Sequence, residues 1–132
     1  MVQETLEQIE ILVADAATTV ESLIAQLGKI QQDFGSNVWI TPRDAAFSQI
    51  NITRGVDQKS LHDISFSLQT PLPLAKFLER YPSASELVGE DDAPIQWVST
   101  ADFSDKPYLV RVLADTRLDE VSRITLMRDI RL

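Results

Sequence analysis

LEQIEILVADAATTVESLIAQLGKIQQDF, residues 6–34, decides how this chain is read. Leu6, Ile9, Val13, Ala16, Val20, Leu23, Leu27, Ile30 and Phe34 follow one another in alternating steps of three and four. That is the a/d spacing of a helix with one apolar seam, and it predicts a single helix over about residues 3–33, closed by Phe34 and Gly35. A helix of about 30 residues is about 45 Å long, whereas a compact domain of this length is roughly 36 Å across. The helix then overhangs its own domain, and the seam of Leu6, Ile9, Val13, Val20, Leu23, Leu27 and Ile30 is expected to meet a second copy of the chain or another protein. Two places could interrupt the helix, the capping box of Thr18 with Glu21 and Gly28, which costs about 1 kcal/mol relative to alanine, but the heptad phase runs through both and one helix is expected. The flanking e and g positions lack complementary charges, and Ile11, Leu12 and Ile24 widen the stripe. A wide stripe suits a helix lying partly on its own sheet.

Beyond Gly35 the period changes from helical to alternating. Residues 37–40, 49–54 and 62–69 read as strands, the last with Ile64, Phe66 and Leu68 on one face and Asp63, Ser65 and Ser67 on the other. Thr41-Pro42-Arg43-Asp44 reads as the start of a short helical turn through Phe47. Pro71 and Pro73 stop a central strand, and Leu74, Phe77, Leu78 and Tyr81 then repeat at helical steps up to Pro82. Ser83 and Glu86 open a second short helix with Leu87 and Val88 as its apolar contacts, ended by Gly89. Residues 95–99 and 108–114 read as strands, and the ambiguous last stretch is better as a strand because Ile124, Leu126, Ile130 and Leu132 share one face. Arg128 falls on that apolar face, which requires a buried salt bridge, a strand end or another register.

The expected fold is therefore α+β: one domain over residues 1–132, with a long amphipathic helix in 1–35 and, in 36–132, an antiparallel sheet of about five to six strands covered on one face, with a central helix pair inserted at 72–88. This order resembles that of small acidic secretion chaperones, which run helix, three strands, helix, two strands, helix. The final strand departs from that order, and the likeness is one of order alone.

With 44% apolar residues the chain can bury a sizeable core, and with no cysteine it has neither disulfides nor thiolate chemistry. Glu4, Glu7 and Glu10 precede or interrupt the only candidate leader, so a cytoplasmic protein with no membrane segment is expected. Asn51-Ile52-Thr53 then carries no meaning as a glycosylation acceptor. The net charge of −8 is uneven: residues 1–36 hold six acids against Lys29, while residues 107–132 hold four against five bases. Such a surface repels phosphate backbones, so no nucleic-acid partner is expected; its plain role is solubility.

Chemistry is sparse. His62, the only histidine, lies next to Asp63, but neighbours in a regular strand point to opposite faces, and its parity with Ile64 and Phe66 places it at the core margin. The glycines at 28, 35, 55 and 89 stand alone, so no phosphate loop, dinucleotide fingerprint or nucleophile elbow is present. Glu90-Asp91-Asp92 lacks the alternation a hard cation needs and reads as a solvated loop. No catalytic residue, metal site or cofactor follows from these patterns. Arg111, Arg123 and Arg131 lie on outward faces of their strands and could receive an anion or acidic peptide, although interleaved acids favour a self-neutralised surface. Trp39 and Trp97 sit within strands and read as core. The function expected is a non-enzymatic interaction or adaptor module that forms a homodimer through its N-terminal helix. The alternative is a domain that binds a small molecule or peptide, or acts as a secretion-type chaperone, through a groove between helix and sheet.

Overall fold

A computed structural model describes residues 2–87 and 95–130 of the chain. The long helix is broken. Helix α1 spans Val2–Ala14, helix α2 spans Val20–Leu27, and the chain then leaves helical geometry for strand β1, Gly28–Asp33. Asp15 makes the first break: its Oδ1 accepts the Ala17 N–H at 2.9 Å in an Asx turn that competes with another helical turn. Thr19 and Ser22, one residue beyond the expected pair, form a reciprocal capping box that starts α2. Gly28 makes the second break, because a Cβ there would run into the Thr41 carbonyl oxygen of the paired strand. The heptad phase carried through Ile30 and Phe34 is thus a coincidence of three short elements. At 13 residues, α1 is about 20 Å long and lies within the domain.

Strands β2 (Asn37–Pro42), β3 (Phe47–Arg54), β4 (Leu61–Pro73), β6 (Ile95–Ala101), β7 (Tyr108–Arg117) and β8 (Glu120–Ile130) form where alternation predicts them, and the last element is a strand. Helix α3, Leu74–Arg80, matches the first of the expected pair. The second is replaced by β5, Ser85–Leu87, which pairs with β6; Val88, Gly89 and the acidic run 90–92 lie outside the described residues. The helical turn expected before Phe47 is a bend in which Asp44 Oδ1 accepts the Ala46 N–H. Pro71 and Pro73 do not stop the central strand β4, which runs on through Pro73; the β4–β8 register only jumps between Ser67 and Leu72 before resuming.

The described strands form one eight-stranded antiparallel sheet in the order β1-β2-β3-β4-β8-β7-β6-β5. Two four-stranded meanders are joined by the β4–β8 pair. One row of inner-face residues crosses the whole sheet through Ile30, Ile40, Ile50, Phe66, Ile124, Ala114 and Trp97. On this face α2 packs against β1 and β2, α1 against β7 and β8, and α3 against β4 and β8. All three described helices therefore cover one face, as expected, while the opposite face has no helix on it. Among the described residues no helix is long and apolar enough to cross a membrane.

Two arginines, Arg128 of β8 and Arg43 in the bend after β2, close the helices. Arg128 lies opposite Val110 on the inner face, its Nε donating to Val13 O and its Nη2 to Asp15 O, both at 2.9 Å, beneath the end of α1. Its guanidinium sits 4.6 Å from the Tyr108 ring centroid. Arg43 donates from its backbone to Leu27 O and from its side chain to Ala25 O and Gln26 O at the end of α2. Each supplies cationic donors to terminal carbonyls that have no helical partner. The charge on the apolar face of β8 is thus a helix cap in a correct register.

Candidate functional site

Of the seam residues, Leu6, Ile9, Val13, Val20, Leu23 and Leu27 are buried in the chain's own core. They are satisfied by the sheet beneath them, so the overhanging seam inferred from helix length is replaced by an intramolecular layer. Ile30 lies on the edge strand β1 and is 51% exposed.

The basic residues are brought to the outer sheet face but neutralised there. Arg111 donates to Asp129 at 2.9 Å and Arg123 to Asp115 at 2.7 Å, and Gln96 donates to the other Asp115 oxygen at 2.6 Å. Arg131 lies outside the described residues. His62 is an exposed bulge residue: β3 advances from Thr53 to Arg54 while β4 steps from Asp63 to Leu61. That extra residue breaks the strand alternation, so Leu61 and Ile64 are both buried and His62 Nδ1 reaches Asp63 Oδ2 at 2.7 Å. The parity argument that kept those two side chains apart fails at the bulge. Trp97 packs at the core margin, but Trp39 is on the outer face, 38% exposed and edge-on to Phe34 with ring centroids 5.2 Å apart.

The densest polar geometry lies between α1, the end of α3 and β6. Glu10 sits on the apolar stripe of α1, four residues after Leu6 and three before Val13, and is 0% exposed. Burial of its charge is tolerable because both oxygens accept strong donors: Tyr81 Oη at 2.5 Å on Oε1 and Arg80 Nη2 at 2.6 Å on Oε2. Burial pushes the Glu10 carboxyl up from its ordinary 4.5, against the lowering pull of Tyr81 and Arg80. Burial and the adjacent carboxylate likewise push the Tyr81 hydroxyl up. The floor here is Ser99 and Ala101, small residues on the inner face of β6 opposite Val112 and Val110 of β7. Their size leaves a cleft of about 270 Å³, which Glu10, Arg80, Ser83, Asp102 and Phe103 also line. Among the described residues no cluster of His, Asp or Glu is arranged to hold a metal ion.

Sequence reasoning missed Glu10 because it occupies a flanking position of the presumed coiled coil. The available signal was a single acid inside the stripe of Leu6, Ile9 and Val13. In comparisons with known proteins, no family model, curated protein or solved structure matches this chain.

Proposed function

We propose that this chain is a non-enzymatic interaction module that self-associates through the outer face of its sheet. One observation carries the reading: among the described residues the helices cover one face of eight strands and leave the other, which is almost neutral, without a helix. Eight strands about 4.8 Å apart make a face about 38 Å wide, and with strands about 25 Å long its area is about 900 Å², against the roughly 800 Å² per partner of a stable interface. Val98, Leu109, Leu113 and Met127 supply apolar surface on β6–β8, and Trp39 with Phe34 adds an exposed aromatic pair at the other end. On a chain of net charge −8, the outer positions of β2–β4 and β6–β8 hold three bases, Arg111, Arg117 and Arg123, against Asp63, Asp115, Glu120 and Asp129. A second copy meets least repulsion there, and the Arg–Asp pairs can exchange partners across a two-fold axis.

Light scattering over a tenfold concentration range tests this. The full chain is expected to be dimeric. Leu113→Asp, placed opposite Val98 and Thr125 away from the core, is expected to weaken association at least about a hundredfold, or about 2.7 kcal/mol, with an unchanged circular-dichroism spectrum. A monomer at every concentration, or a dimer insensitive to Leu113→Asp, overturns the proposal.

A further inference from the structure

The cleft beneath α1 lies on the helix-covered side of the sheet and takes no part in the face described above. Two features call for a ligand. First, the hollow is built by small side chains: about 270 Å³ is room for about nine waters at about 30 Å³ each. Second, the guanidinium on its wall is only partly used. Arg80 has five N–H donors, of which Nη2 serves Glu10. Its Nε–H is buried and finds no acceptor among the described residues, although the side chain as a whole is one-third exposed and lines the cleft. A buried guanidinium donor without an acceptor is costly, and an oxygen brought into the cleft removes that cost after a small rotation of the side chain.

The surroundings narrow the chemistry of that oxygen. Among the described residues Arg80 is the one cation on the cleft wall, Glu10 already takes part of its charge, and Asp102 adds a further acid. A dianion is repelled more strongly than a single carboxylate, and a single carboxylate can take the Nε–H together with the second hydrogen of Nη2. Ser83, Ser99 and Thr100 offer further hydrogen-bonding groups, and Pro82, Ala101 and Phe103 give apolar contact to a short carbon body. We infer that this cleft binds a small monocarboxylate, its carboxylate on Arg80 and its carbon body against Ala101 and Phe103. Glu10, oriented by Tyr81, is then a positioning residue that tethers Nη2 and keeps the guanidinium at the cleft wall as Nε turns toward the ligand.

Titration of the full chain with benzoate and propionate, followed by ¹H–¹⁵N NMR, tests the inference. Inorganic phosphate and benzylamine serve as counter-probes. Either carboxylate is expected to give saturable shifts confined to Ser83, Ser99, Thr100 and the Arg80 Nε–H, at a Kd on the order of 1 mM or below. Arg80→Lys is expected to weaken binding about tenfold, because an ammonium cannot present the fork. Ala101→Leu, which fills the hollow without touching a polar group, is expected to abolish binding with the rest of the spectrum preserved. Equal shifts with phosphate or benzylamine overturn the assignment of ligand class. The absence of saturable shifts with either carboxylate, or undiminished binding to the Ala101→Leu protein, overturns the site itself.

Discussion

Glu10 shows how much one side chain can hold. Its carboxylate ties α1 to Arg80 and Tyr81, some seventy residues further along the chain. The charged and titratable groups facing it are Arg80 and Tyr81 at the end of α3 and Glu7 on its own helix. Because burial raises its pKa in the folded chain, the folded state binds more protons than the unfolded state above the ordinary value of 4.5. Its contribution to stability is therefore fully present below about pH 4.5 and is lost as the pH rises through the folded pKa. Each unit of elevation amounts to about 1.4 kcal/mol. In Glu10→Gln, which keeps an oxygen acceptor and cannot titrate, that loss is expected to vanish. Urea denaturation of both proteins from pH 4 upward should show the variant gaining on the parent as pH increases, and parallel curves would refute the assignment. Charge on a buried face was legible from parity for Arg128, since β8 keeps its alternation where that residue sits. The same rule misplaced His62, because a bulge resets parity and nothing in Leu61-His62-Asp63 announces one.

Among the elements, those with several apolar residues at period two were read from sequence, because their burial pattern is their hydropathy pattern. The two edge strands were not. β1 contributes one apolar side chain, Ile30, which happens to fall in heptad phase, and β5 begins two residues after a serine with the spacing of a helix cap. Edge strands bury little, so their sequences carry little of the signal. The β7–β8 hairpin carries a different mismatch. Leu118 and Asp119 have φ of 53° and 62°, a pair of left-handed residues as in a type I′ turn, and Leu118 is 89% exposed. Leucine loses about 1 kcal/mol or more in that conformation, while asparagine tolerates it. Leu118→Asn is expected to stabilise the chain by about 0.5–1 kcal/mol, raising the urea midpoint at constant m-value; an unchanged or lower midpoint would contradict the strain.

At the scale of the molecule, the fold depends on one long-range joint. β4 and β8 meet along residues far apart in sequence, as in the 2.8 Å contact between the Ser65 and Thr125 hydroxyls, 60 residues apart. Each meander is local and its hairpins are readable; the joint is not, because pairing between distant strands depends on which faces remain unburied after each half has formed. The polar cleft and the uncovered face follow from that joint, and neither has a local motif. The sheet also has two ends. β5 is three residues long, but β1 offers six residues with backbone groups facing outward and most side chains exposed. Gln31 stands as an extra residue between Ile30 and Gln32, and this bulge spoils the straight template on which a further strand would add. Removing it leaves Ile30 opposite Ile40 and Gln32 opposite Trp39 in unbroken register. The chain with Gln31 deleted is therefore expected to polymerise edge to edge into thioflavin-positive filaments at concentrations where the parent stays clear, so one surplus glutamine marks the difference between a finite sheet and an endless one.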